Sequence, residues 1–288
     1  MDLERVTSMI VECLEECDHA RKQVLESHLH ELRCHKEAKE LGFCLLAMPC
    51  DKNDKKAMYC HWFATSIFEH LVSERAGDLS SIRDSVMEFL LHKEGTVSPF
   101  IINKLAKIVV DIAQIQWPEE DPYFLQRVKH LGENCLATSC IILRVAAEQF
   151  GSDKGHVSTA RRSALRAVMI ENLPEIMQWM EFALQKAAAG KGDARAEEIT
   201  CRALEVVLQF FVWVPLEKCL SDSLLGTVFR FIETDGEVGM LAFSCVNEIL
   251  SRSFAPAIVR NLLDHVFSSI FKILESLTRY DVFWRHFS

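Results

Sequence analysis

Between Phe100 and Phe124 the apolar positions fall at Ile101, Ile102, Leu105, Ile108, Val109, Ile112 and Ile115, and the polar ones at Asn103, Lys104, Lys107, Asp111 and Gln114. Spacings of three and four place the polar set on one stripe of an amphipathic helix, opposite a wide buried face. Ser98-Pro99 predicts an N-cap followed by a proline in the first turn. Trp117-Pro118 predicts the stop, because a residue before proline is pushed out of helical geometry. Glu119, Glu120 and Asp121 are then expected to favour the positive N-terminal end of the following helix. A helix pair of this kind cannot bury its apolar face alone, so the stretch reads as one unit of a stacked helical array.

The same period continues on both sides. Leu3–Glu16 is helical, with Leu3, Val6, Ile10, Cys13, Leu14 and Cys17 on one side. Asp18 caps a helix over His19–Cys34 that buries Val24, Leu25, Leu29 and Leu32. Leu41–Met48 is a short apolar helix, Asp51–Asp54 a charged turn, and Lys55–Val72 a long helix carrying Phe63, Ile67 and Phe68. Further helices are expected over Ser81–His92, Pro122–Leu131, Cys135–Phe150, Glu197–Val214, Ser221–Ile232, Val238–Ser253 and Pro256–Leu277. Val157–Lys186 is one helical segment, kinked or broken near Pro174. The tract Ala187–Ala194 reads as an exposed loop. Trp213-Val214-Pro215 ends one helix much as Trp117-Pro118 ends another. The tail places Phe283, Trp284 and Phe287 together, as a surface that further chain would cover. Helix pairs recur roughly every 40 residues, the HEAT or armadillo period. The fold class is therefore all-α, a HEAT-repeat superhelical solenoid of antiparallel helix pairs, with residues 1–288 as a single array.

Composition sharpens this picture. With 11 Gly and 7 Pro in 288 residues, 49% of them hydrophobic, the chain has few turns between long periodic runs. A net charge of −9 argues against nucleic acid, whose phosphates call for clustered Lys and Arg, and suits basic protein partners. Met1-Asp2-Leu3-Glu4 lacks the basic and apolar regions of a signal peptide, and no uncharged run is long enough to span a bilayer. Cys44, Cys60, Cys135, Cys140, Cys201 and Cys245 sit within apolar helical runs and are expected as reduced, core-filling thiols of a cytosolic or nuclear protein.

Candidate chemistry is sparse. Cys13, Cys17, His28, His30, Cys34 and His35 gather near the start, but no C-x-x-C pair accompanies them and buried thiols with solvated histidines are expected rather than a metal. Cys60-His61 is expected as a core thiol beside a surface imidazole, since neighbours on a helix point about 100° apart. Gly190-Lys191-Gly192 lacks the spacing of a phosphate loop. No catalytic constellation and no cofactor are expected. The polar stripe remains: Asn103, Lys104, Lys107, Asp111 and Gln114, with Lys55, Thr65, Ser66, Glu69 and Ser73 as the matching stripe of the preceding pair. Such stripes are either solvated faces or, on the second helix of successive pairs, a continuous mixed-charge surface for a protein partner.

Several of these residues carry a resemblance. Asn103-Lys104-Leu105 through Trp117-Pro118 resembles the third HEAT repeat of the exportin branch of importin-β-like karyopherins. PFIINKLAKIVVDIAQIQWP, ITCRALEVVLQFFVWVPL and GMLAFSCVNEILSR, in that order, resemble the exportin-6 subfamily within that branch. The resemblance covers nearly the whole chain and implies the amino-terminal portion, about seven repeats, of a longer nuclear export receptor that shuttles between nucleus and cytoplasm. The implied partners are Ran-GTP, a protein cargo that the subfamily makes profilin–actin, and nucleoporins. Residues 1–150 would be the Ran-binding repeats, with Lys55, Ser66, Glu69, Asn103, Lys104, Lys107, Asp111 and Gln114 as candidate contacts by position. The Ala187–Ala194 loop is shorter than animal members of the subfamily lead one to expect. An import receptor of the same superfamily, or a HEAT scaffold without Ran contact, are the rival readings.

Overall fold

A computed structural model of the chain describes residues 2–252 except 50–53, 94, 153–156 and 191–192, together with the single positions 264, 267, 268, 271, 272 and 275. Among the described residues the secondary structure is helical throughout, without a strand. The helices are α1 (Leu3–Glu15), α2 (His19–Arg33), α3 (Ala38–Leu46), α4 (Lys55–Ser73), α5 (Leu79–Lys93), α6 (Pro99–Gln116), α7 (Phe124–Asn134), α8 (Leu136–Gly151), α9 (Thr159–Glu171), α10 (Leu173–Ala189), α11 (Ala194–Trp213), α12 (Leu216–Cys219), α13 (Asp222–Ile232) and α14 (Glu237–Ser251). They form two compact units, one of Met1–Phe150 with Gly155–Leu165 and one of Gly151–Lys154 with Arg166–Ser288.

Within each unit the packing repeats. In the first, α3 packs on α4 and α5 on α6; the first helices α3, α5 and α7 also touch in succession, and α4 lies against α6. In the second, α10 packs on α11 and α13 on α14, with α10 against α13 and α11 against α14. Short connections make each pair antiparallel. Each of these helices thus shows one face to its pair-mate and another to an adjacent pair, which is why their apolar stripes are so wide. In α8 all but four residues are buried, including the side chains of Thr138 and Ser139. The Ser139 hydroxyl donates to the Leu136 carbonyl, so its burial leaves no orphaned donor.

Local chemistry explains most helix ends. Asp18 caps α2 as expected, accepting from the Arg21 amide at 2.8 Å. Asp2, Asp54, Asp193 and Ser221 cap α1, α4, α11 and α13 in the same way. The break expected near Pro174 is real: α9 stops at Glu171 and α10 restarts at Leu173, with the proline in its first turn, where a missing N–H costs nothing.

Several expectations are corrected. Ser98 holds the N-cap position of α6, but its side chain makes no capping bond, and Pro99 alone marks the start. Asp121 accepts from the amide of Tyr123 at the start of α7, at 3.3 Å, and is in addition buried against arginine, which was not expected. The helix expected from Glu197 begins at Ala194, capped by Asp193. Of the residues expected buried on α2 only Leu29 is, and Val24 is exposed. Cys17, in the turn between α1 and α2, and Cys44, on α3, are exposed, whereas Cys60, Cys135, Cys140, Cys201 and Cys245 are core thiols. Burial pushes the thiols of Cys60 and Cys201 up to about 11 and that of Cys245 to about 12, which keeps them protonated and inert. The helix expected over Pro256–Leu277 lies outside the described residues except at single positions, and Phe283, Trp284 and Phe287 lie wholly outside them.

Candidate functional site

The packing of α4 on α6 brings two of the predicted stripes together. Lys104 donates from Nζ to Glu69 Oε1 at 2.8 Å, joining the two helices. One residue earlier, Asn103 donates to the Pro99 carbonyl at 2.8 Å and accepts from Arg144 of α8 at 3.0 Å. One turn further along α6, Lys107 pairs with Asp111 at 2.5 Å, an i,i+4 pair on a single helix face. Arg144 also reaches Glu148 at 3.4 Å. The result is a polar ladder across three successive second helices, from Glu69 through Lys104 and Asn103 to Arg144.

The ladder is half-exposed rather than solvated. Lys104 and Glu69 keep about a third of their side-chain surface open, at 33% and 30%. A pair in that setting is worth little to stability, a fraction of ~1 kcal/mol. Its charges nevertheless stand at fixed positions in a mixed-sign row. Such a row can exchange its internal partners for complementary charges on another protein at small cost, so its use lies in specificity and orientation.

Not every predicted residue joins it. Thr65 is buried, its hydroxyl donating to the Trp62 carbonyl at 2.7 Å, so it belongs to the core. Ser66 is half-buried and donates to the Phe63 carbonyl at 2.8 Å. Lys55 is exposed in the first turn of α4, about four turns from Glu69, and is not brought to the ladder. Gln114 lies half-buried toward the far end of α6, where its main-chain carbonyl accepts from Arg161 at 2.9 Å. Arg144 was missed by sequence reasoning; a single cation inside the apolar run of α8 was its only signal.

The end of α6 and the turn after it are fixed by three arginines. Arg83 of α5, 5% exposed, donates to Asp121 Oδ2 at 2.7 Å and reaches Gln116 Oε1 at 3.4 Å. Arg127 of α7 donates to the other Asp121 oxygen at 3.1 Å. Arg161, from the first turn of α9, donates to the carbonyls of Gln114, Ile115 and Trp117, and pairs with Glu119 at 2.5 Å. These are the carbonyls that a helix end leaves without intrahelical partners.

His61, expected at the surface, is wholly buried beside the equally buried Cys60. Its Nε2 lies 3.3 Å from the Met48 carbonyl, and its ring meets Phe89 edge-on at 5.3 Å. Desolvation lowers its proton affinity, so it is a neutral core imidazole rather than a base. Among the described residues no group of three or more His, Cys, Asp or Glu side chains is arranged to hold a metal ion. No described helix is long and apolar enough to cross a membrane.

Against this geometry the similarities to known proteins can be set. Residues 98–247 match the profile of the exportin 1-like protein family. Human exportin-6 is 24% identical over 96% of this chain and 30% of its own length. Xenopus laevis exportin-6-B is 23% identical over 90% of this chain and 30% of its own. Exportin-6 of Dictyostelium discoideum is 22% identical over 76% and 25%. The chain thus spans about 30% of the length of the relatives it matches most fully.

Proposed function

We propose, from the premise that this chain belongs to the exportin 1-like protein family, that it is part of a nuclear export receptor of the exportin-6 kind, with an all-α HEAT-repeat fold. It acts by binding rather than by catalysis. Ran in its GTP form and a protein cargo each favour the same state of the receptor, so each raises the other's affinity, and both are released together in the cytoplasm. Profilin–actin is the cargo this reading names, and nucleoporins are further partners. The receptor shuttles between nucleus and cytoplasm.

The observation that carries the proposal is the likeness of 96% of the chain to human exportin-6, together with the family match over residues 98–247. The polar ladder of Glu69, Lys104 and Asn103 with Lys107 and Asp111 is our candidate Ran-contacting face, within residues 1–150. Its charges already neutralise one another, which supports a partner with a mixed-sign surface rather than a polyanion.

The test is capture of the chain on immobilised Ran loaded with GTP or GDP, with and without profilin–actin. Retention on Ran-GTP alone, strengthened by profilin–actin, is the expected result. Equal capture in both nucleotide states, or none by either this chain or a full-length relative, would overturn it in favour of a scaffold. Release of a bound protein by Ran-GTP would instead mark an import receptor.

A further inference from the structure

Outside the ladder, α2 and α4 bring a thiol and two imidazoles together. Cys34, the exposed C-cap residue of α2, has its Sγ 3.5 Å from His70 Nε2 in the last turn of α4 and 3.9 Å from His30 Nε2 one turn earlier in α2. Arg33 sits 2.8 Å from the other ring nitrogen of His30, Nδ1. A guanidinium can only donate, so His30 Nδ1 must accept, and the ring proton is held on Nε2. That N–H faces the sulfur. His70 Nε2, the nearer of the two, is left to accept the thiol proton. The arrangement offers one group to take the proton and another to stabilise the sulfur once it is negative, which the carbonyl end of α2 on its own would not. The trio does not form a metal-holding arrangement.

We propose that Cys34 is a nucleophilic thiol that reacts with small peroxides and other soft electrophiles, with His70 as its base and His30, held by Arg33, as the positioned donor. With hydrogen peroxide the sulfur attacks one oxygen; the S–O bond forms as the O–O bond breaks, and sulfur gives up two electrons to the peroxide. His70 returns the thiol proton to the leaving hydroxide, so the products are a sulfenic acid and water. Cys17 and Cys44 are also exposed, and neither has an imidazole in hydrogen-bond contact among the described residues, so the same molecule carries its own controls.

The experiment exposes the whole chain to limiting hydrogen peroxide with a sulfenic-acid trap and reads each cysteine by mass spectrometry. Cys34 is expected to be trapped at least about tenfold faster than Cys17 or Cys44, a modest share of what a placed acid–base partner supplies. His70→Gln should bring Cys34 down to the rate of the other two while leaving theirs unchanged, and the buried Cys60 and Cys245 should stay unreactive, which reports an intact fold. A Cys34 rate no higher than that of Cys17, or one unmoved by His70→Gln, would overturn the proposal.

Discussion

Two helices of this chain end in tryptophan, and they end differently. Trp117, at the end of α6, is 2% exposed, stacked on Phe150 at 5.9 Å and tilted against Phe124 at 5.6 Å. Trp213, the last residue of α11, is half-buried, lies against Phe210 at 6.0 Å, and carries Arg166 over its ring at 5.9 Å. Yet the main chain is closed by the same device in both. Arg161, 44 residues after Trp117, donates to that tryptophan's carbonyl, and Arg252 donates to the carbonyls of Phe211 and Val214, 41 and 38 residues earlier. Those separations are about one repeat. In each case an arginine about 40 residues further along the chain closes the helix end, and the tryptophan is free to be core in one unit and rim in the other.

The largest effect is expected from removal of the ring. Trp117→Ala should cost about 4 kcal/mol of stability, as expected for a fully buried aromatic, and Trp213→Ala about half that. Denaturant titration of each variant would measure it, and equal costs would erase the distinction between core and rim. Next is Asp121→Ala, which leaves the buried Arg83 with only the exposed carboxylate of Asp84, at 2.9 Å, as its charge partner; a loss of ~2 kcal/mol is expected, partly recovered when Arg83→Met is added.

A smaller change sharpens the rim side. A Cβ built on Gly151 would stand 2.3 Å from Trp213 Cδ1, closer than any real contact. Gly151→Ala should destabilise the chain, and the penalty should largely vanish in the Trp213→Ala background, a coupling that a double-mutant cycle reads directly. Arg161→Ala and Arg252→Ala should each cost about 1–2 kcal/mol, since each strands helix-end carbonyls.

The smallest expected effect is one of pH and belongs to the first unit. Burial holds the proton affinity of His61 below its ordinary value of 6.5, so the unfolded chain takes up that proton more readily than the folded one. The contribution of His61 to stability is therefore complete above that value and declines as the pH falls below it. Comparison of wild type with His61→Phe between pH 7.5 and 5.5 should show the variant losing less stability on acidification.

The α6 helix and its Trp-Pro end were legible because a 3.6-residue period and a proline act locally. The same holds for the Asp18 cap and the break at Pro174. What escaped reading depends on which helix packs where. His61 and Thr65 occupy α4 faces that become interior only when the neighbouring helices close over them. Asp121 reads as a helix-start carboxylate until α5 brings Arg83 to it from 38 residues away. In the candidate face, Glu69 and Lys104 were identified by their stripes, but the partner from α8, Arg144, lay inside a run that reads as pure core. Periodicity shows which side of a helix is polar; it does not show which of two neighbouring pairs that side meets.

Exchanging the charges of the ladder shows whether it is a partner-binding face. Glu69→Lys with Lys104→Glu keeps the internal pair while inverting its pattern, and should leave the helical circular dichroism and the unfolding midpoint nearly unchanged. This double variant is expected to lose capture by Ran-GTP at least about tenfold, the scale of a misplaced interfacial charge pair. Undiminished capture by a folded double variant would contradict it.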